Sequence, residues 1–210
     1  LAAVEAARIG DPTQDVLYGP MISEAYLAQH VANLGLIAEH HGVGGSSATG
    51  RITSQSPRAG FVGDPDAGVF AHPTLVWGVR ADDAIARNET FGPLVGVGRV
   101  SSLDEAIEAA NAHGYGLSSA IYTSDPAAAW RFRERVGSGM VSINNSTSGA
   151  EAHLPFGGNG MSGNGSRQSG VWVLDQFTRW QAVNWDWSGR LQKAQMDTLE
   201  LSHDPGFRLD

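Results

Sequence analysis

Apolar residues recur at helical spacing through the first nine positions (LAAVEAARI), which predicts a helix closed by Gly10-Asp11-Pro12. A second helix is expected over residues 24–41, capped by Ser23 and stopped at Gly42. Residues 46–68 are rich in Gly, Ser, Pro and Asp and read as loops with a short hairpin. The pattern then changes. Residues 72–79 (HPTLVWGV) predict a strand, 83–88 a short helix and 94–100 another strand. Ser102-Leu103-Asp104-Glu105 is a capping box opening a helix to about residue 113, and 117–123 is strand-like. Asp125-Pro126 offers an N-cap with proline in the first turn, opening a helix to residue 136. A strand over 140–144 follows the turn Gly137-Ser138-Gly139. Strands and helices alternating over short connections predict an α/β fold, a parallel-type sheet with flanking helices.

Residues 145–170 are glycine-rich without an apolar period, so a long ordered loop is expected, and such loops inside a compact domain usually carry function. A short helix is predicted over 171–177. Residues 178–187 alternate in part and hold three of the six tryptophans, which suggests a strand buried against another subunit. Beyond it lies an irregular tail.

The 210 residues suffice for one sizeable core or two small ones, and 41% hydrophobic with 17% charged residues favours folding over disorder. A net charge of −8, with 14 basic residues spread along the chain, argues against a nucleic-acid partner. No apolar run approaches the ~20 residues of a membrane-spanning helix. The absence of cysteine excludes disulfides, thiolate metal sites and cysteine catalysis by this chain's own residues. A start at Leu1 inside a helical pattern is expected of a fragment, a processed chain or an incomplete sequence.

Several motifs have plain readings. Gly158-Asn159-Gly160-Met161-Ser162-Gly163 fits the dinucleotide pattern G-x-G-x-x-G, but no strand precedes it closely and no helix opens at Gly163, so turn glycines are the better account. No G-x-S-x-G occurs, and the seven histidines show neither H-E-x-x-H nor H-x-x-E-H spacing. His40-His41 reads as a helix end rather than a metal pair, and the N-x-S/T triplets mean little without secretion. No carboxylate pair, such as Glu89 with Glu151, can be placed for hydrolysis. Glu89 sits at a turn made rigid by Gly92-Pro93, with Phe91 two residues on. A carboxylate can accept from two adjacent ribose hydroxyls and a ring can pack on a planar heterocycle, yet on residue types alone a helix-end acid and a core phenylalanine are the better account.

Taken in order, Gly10-Asp11-Pro12, Gly19-Pro20, Pro73-Thr74, Glu89-Thr90-Phe91-Gly92-Pro93, Glu105-Ala106, Ala110-Asn111, Tyr115-Gly116-Leu117, Gly139, Asn144 and Pro155-Phe156-Gly157-Gly158 resemble landmarks of the NAD(P)-dependent aldehyde dehydrogenases. The resemblance runs from about residue 1 to 185 and covers the C-terminal half of that family. It implies a catalytic-domain portion over 1–177, an oligomerisation strand over 178–188 and a tail over 189–210. It further implies that Glu89 binds the nicotinamide ribose of NAD or NADP and that Phe91 packs near the nicotinamide. Phe156 would line the aldehyde tunnel, with residues 145–151, including Ser146 and Glu151, at its variable mouth.

The mechanism so implied is covalent. A thiolate attacks the aldehyde, hydride passes to NAD(P)+ and water hydrolyses the thioester. The nucleophile, the base and the dinucleotide fold would lie in an N-terminal half outside this chain, which alone would be inactive. A cytoplasmic homo-oligomer acting on an aldehyde is expected, with neither nucleic acid nor membrane as partner. The family commonly has Lys where Gly160 stands and Gly-Arg-Glu near Gly165-Ser166-Arg167-Gln168, so a role for that Glu does not carry over. Residues 147–151 and 184–195 are similar to the aminoadipate semialdehyde dehydrogenase branch. The alternative is a non-catalytic scaffold or regulatory protein that keeps the fold and the oligomerisation strand.

Overall fold

A computed structural model describes residues 1–45, 50–187 and 189. From the N-terminus run α1 (Ala2–Ala6), β1 (Ile9–Gly10), α2 (Glu24–Leu34), β2 (Gly42–Gly44), β3 (Arg51–Ile52), β4 (Phe61–Val62), β5 (Phe70–Ala71), β6 (Thr74–Trp77) and α3 (Ala84–Arg87). There follow β7 (Leu94–Val97), α4 (Leu103–Asn111), β8 (Tyr115–Gly116), β9 (Ser118–Ile121), α5 (Pro126–Arg135), β10 (Met140–Ile143), β11 (Asn159–Gly160) and α6 (Val173–Phe177). The expected α/β architecture is present. β6 pairs parallel with β7 in register Thr74↔Leu94, with β2 antiparallel on its other edge. β9 and β10 form a second parallel pair, Ser118↔Met140 to Ile121↔Ile143. Each parallel pair is joined by one short helix, α3 or α5, as a crossover requires.

Two helix boundaries differ from the sequence expectation. The first helix stops at Ala6 because the chain straightens to bring Ile9 into β1, where it is fully buried and pairs with Phe61. Arg58 completes that end by donating to the carbonyls of Val4 and Glu5. The second helix stops at Leu34 instead of residue 41. There the Gly35 N–H turns back to Ala32 O, and the Asn33 side chain leaves the helix to donate to Thr90 O at 3.2 Å. Ser23 stands at the N-cap without a side-chain cap bond; its carbonyl accepts from Leu27 N. The hairpin expected within 46–68 does not form among the described residues: β3 pairs with β5 and β4 with β1, leaving an isolated Thr53–Ser56 bridge.

The caps of α4 and α5 follow their sequence signals. Ser102 Oγ accepts from Glu105 N at 3.2 Å, and Asp125 Oδ1 accepts from Ala127 N at 2.9 Å. The Glu105 carboxylate departs from the simple box by accepting from Ser101 N and Oγ, one residue before the cap. Those two bonds hold its carboxyl below the ordinary range.

Apolar burial is concentrated in two clusters. Ile9, Ile52 and Phe70 form one, with Tyr18 and Phe61 packed against it and the two phenylalanine rings edge to face at 4.9 Å. Ile107, Phe132 and Val136 form the other, flanked by Leu103, Ala110, Ile121 and Val141. This second cluster lies between α4 and α5 and fastens both to the β9–β10 pair. Asp104 bridges the same helices by pairing with Arg131 and Arg135.

Leu1–Val173 and Leu174–Asp210 form two compact units. Within the described part of the second, Trp180 Nε1 donates to Asp175 at 3.1 Å and the Trp185 and Trp187 rings stack at 5.0 Å. Residues 178–187 adopt no strand in the single chain, and their tryptophans are exposed. The expected tail, beyond residue 189, lies outside the described residues. Among the described residues no helix is long and apolar enough to cross a membrane.

Ile107 is 1% exposed at the centre of the α4–α5 cluster. Ile107→Ala is expected to lose about 2–5 kcal/mol, the transfer and cavity cost of a deleted core side chain. Urea denaturation measures it, and a loss within error of zero would show that the cluster is not a core.

Candidate active site

The segment Glu89–Pro93 is held from three sides. Thr74 N donates to Pro93 O at 2.7 Å at the start of the β6–β7 ladder, and Asn33 Nδ2 reaches Thr90 O from α2. Beneath the turn lies His30, fully buried, its ring so close that a Cβ on Gly92 would meet Nδ1 at 2.1 Å. Only glycine fits there. Phe91, immediately before it, takes a left-handed backbone at φ 44° and is 65% exposed. A bulky residue in that region stores strain, as is common where a side chain is presented for function.

Glu89 is exposed and lines a cleft of about 270 Å³ together with Arg87, His113, Tyr115, Leu117, Ser118 and Ser162. Phe156, Glu151 and Ser146 line a second cleft of about 280 Å³, together with Met140, Val141 and Ser142 of β10. Ser118, the first residue of β9, is a wall of both clefts. The structure therefore places Glu89 in one cleft and Phe156, Glu151 and Ser146 in the other, with Ser118 lining both. Phe91 stands apart and walls neither cleft.

The second cleft depends on two polar devices. Asn144, left-handed at φ 54°, accepts from Thr123 N at 2.8 Å and donates to Thr123 O at 2.9 Å, which closes the end of the β9–β10 pair. The mouth loop that follows folds on itself: Asn145 accepts from Ser146 N, and Ser146 Oγ meets Ser148 Oγ at 2.7 Å. Behind Phe156, Arg167 donates to the carbonyls of Gly158, Gly165 and Ser166 and to Asn159 Oδ1. Phe156 and Gln168 exchange backbone bonds at 2.5 and 2.7 Å, so the glycine-rich loop closes on itself.

Sequence reasoning missed Arg167 as an organiser and Ser118 and Tyr115 as cleft walls. A signal for Arg167 existed, since it is the one basic residue other than His153 within 145–170. Nothing local marked Ser118. Within Gly158–Gly163, β11 pairs antiparallel with β8 (Asn159↔Gly116, Gly160↔Tyr115) and a turn follows in which Ser162 N returns to Asn159 O; no helix opens there.

His40, His41 and Asp83 are the group among the described residues whose spacing could suit a metal. Their hydrogen bonds oppose it. His41 Nδ1 accepts from Ala38 N at 3.0 Å, so the proton of the neutral ring lies on Nε2, donated to Asp83 Oδ2 at 2.8 Å. That proton occupies the position a metal would need. His41, the Arg80 amide and His40 together hold the Asp83 carboxyl far below the usual carboxylate range.

Residues 1–183 match the model of the aldehyde dehydrogenase family. Vanillin dehydrogenase of Corynebacterium glutamicum is 35% identical over 184 residues, 86% of this chain and 34% of that protein. The NADP(+) succinate-semialdehyde dehydrogenase of Deinococcus radiodurans is 44% identical over 116 residues, 55% of this chain and 24% of that protein. In structure, an NAD-dependent aldehyde dehydrogenase of Sinorhizobium meliloti superposes with a TM-score of 0.74 at 27% identity, covering 93% of this chain and 36% of that one. The chain spans a quarter to about a third of the length of the curated relatives it matches.

Gly92→Ala is expected to cost ~1–3 kcal/mol by overpacking against His30. Adding His30→Ala relieves the clash, so the double variant falls short of the summed losses. Additive losses in denaturant titrations would contradict the contact. Burial also holds the His30 imidazole below its ordinary value of 6.5, and His72 likewise, with the Arg58 charge adding to burial there. The unfolded chain therefore takes up these protons at higher pH than the fold does. Stability is complete above about pH 6.5 and falls as pH drops through and below it, by up to ~1.4 kcal/mol per pH unit for each histidine. His30→Gln should make the slope between pH 7 and 5 shallower; an unchanged slope would remove His30 from the account.

Proposed function

The chain belongs to the aldehyde dehydrogenase family, and from that premise we propose that it supplies the cofactor clamp and one substrate wall of an enzyme oxidising an aldehyde to an acid with NAD(P)+. The observation that carries this reading is the pair of clefts that share Ser118, with Glu89 lining one and Phe156 the other. The Glu89 cleft fits a ribose. Its carboxylate is exposed in a cleft with Tyr115 and Ser162, and an ionised carboxylate accepts from two vicinal hydroxyls at once. Phe91, exposed on a strained turn, offers a ring face to a planar nicotinamide. When bound, NAD(P)+ supplies the hydride acceptor.

In the other cleft, Phe156 and the residues 145–151 hold the aldehyde's tail. The nucleophile must be a cysteine thiolate outside this sequence, which has no cysteine. Residues 178–187, rich in exposed tryptophan, suit an edge strand that pairs with a second copy. NAD-dependent and NADP-dependent proteins both occur among the relatives, and the choice between them lies with residues outside this chain.

The assay joins the chain to the region carrying the dinucleotide fold and the cysteine. NAD(P)H formation with members of a broad aldehyde panel is expected. A folded product silent across the panel would reject the reading in favour of a non-catalytic scaffold. In the active protein, Glu89→Gln should lower kcat/KM for the dinucleotide by about tenfold, the scale of a lost hydrogen bond to a charged group. An unchanged value would remove Glu89 from the clamp.

A further inference from the structure

The cleft walled by Phe156 has a chemical bias of its own. Its lining combines the apolar Met140, Leu154 and Phe156 with the polar Asn145, Ser146, Ser148 and Glu151, each of which offers an acceptor oxygen. The polar part is pre-shaped. Ser148 N donates to Ser146 Oγ at 3.0 Å, Leu154 N donates to Glu151 O at 2.9 Å, and Gly170 N anchors Ala152 O at 3.0 Å. These bonds fix the turn from which the exposed Glu151 carboxylate projects. Among the described residues lining the cleft, Glu151 alone carries a formal charge. A carboxylate accepts and never donates, and it raises the local concentration of cations while repelling anions.

We propose that Glu151 is a specificity-determining residue that selects aldehydes bearing a cationic ammonium group over aldehydes bearing a carboxylate. The proposal rests on the aldehyde-oxidising reading for its reaction, but the charge preference belongs to the cleft itself. An ammonium tail entering past Ser146 and Ser148 can donate to their hydroxyls and to Glu151. A carboxylate tail of equal length meets like charge at the same place. The cleft is open to solvent, so the preference is moderate and weakens as salt screens it.

The test compares an ω-amino aldehyde with an ω-carboxy aldehyde of equal chain length on the whole enzyme. The wild-type ratio of kcat/KM should favour the amine by about tenfold, the scale of one charge contact near a protein surface. Glu151→Gln should bring that ratio close to unity and Glu151→Lys should invert it. A ratio that neither substitution moves overturns the proposal. A second measurement is independent of turnover: saturation-transfer NMR of n-butylammonium and of butyrate with the same protein. Butylammonium should receive transfer and butyrate little, with the order reversed in Glu151→Lys. If no aldehyde is oxidised but the two ions are still discriminated through Glu151, the proposed activity falls and the charge preference stands. Oxidation of aldehydes without discrimination sinks the charge preference alone.

Discussion

The contact between Gly92 and the buried His30 ring is the constraint on which the site depends. A backbone approach that admits no Cβ lets α2 lie directly against the turn before β7. Thr74 N then bonds Pro93 O and sets the register of the parallel β6–β7 ladder, while Asn33 secures Thr90. With Thr90 and Gly92 pulled inward, their neighbours Glu89 and Phe91 are left facing outward. The left-handed backbone of Phe91 is the local cost of that alternation, offset by the packing around it. The fold thus presents a carboxylate and a ring on a rigid turn rather than on a mobile loop.

The wall of the second cleft is stabilised by a different kind of force. Residues 145–170 bury little apolar surface, so the hydrophobic effect cannot hold Phe156 in place. Polar closure does this instead. Asn144 clamps Thr123, Arg167 gathers three carbonyls and an amide oxygen, and Phe156 and Gln168 bond each other twice. Gly139 and Gly157 permit the close approach this needs, since a Cβ on Gly139 would meet Gly157 O at 2.0 Å.

The sequence was informative where one residue's chemistry acts over a few neighbours. Asp125-Pro126 and Ser102 mark helix starts that form as expected, because a cap needs only the next two or three amides. The alternation of strands and helices over 72–144 correctly implied parallel pairing. The ends of α1 and α2 were not legible, because distant partners set them: Arg58 and Phe61 for the first, Thr90 for the second. The hairpin expected within 46–68 failed for the same reason, since β3 and β4 find better partners in β5 and β1.

For the site itself, residue types and order determined that Glu89, Phe91 and Phe156 stand on glycine- and proline-stiffened turns. They also determined, through the absence of cysteine, that this chain holds no thiolate of its own. Only the tertiary structure decided that Glu89 and Phe156 open onto two clefts sharing Ser118, and that Ser146 and Glu151 line the second. It also decided that Arg167 fastens the loop behind Phe156. The reason is physical. A turn is closed by neighbours in sequence, whereas a cleft is the space left between elements whose separation in space depends on every contact that packs them.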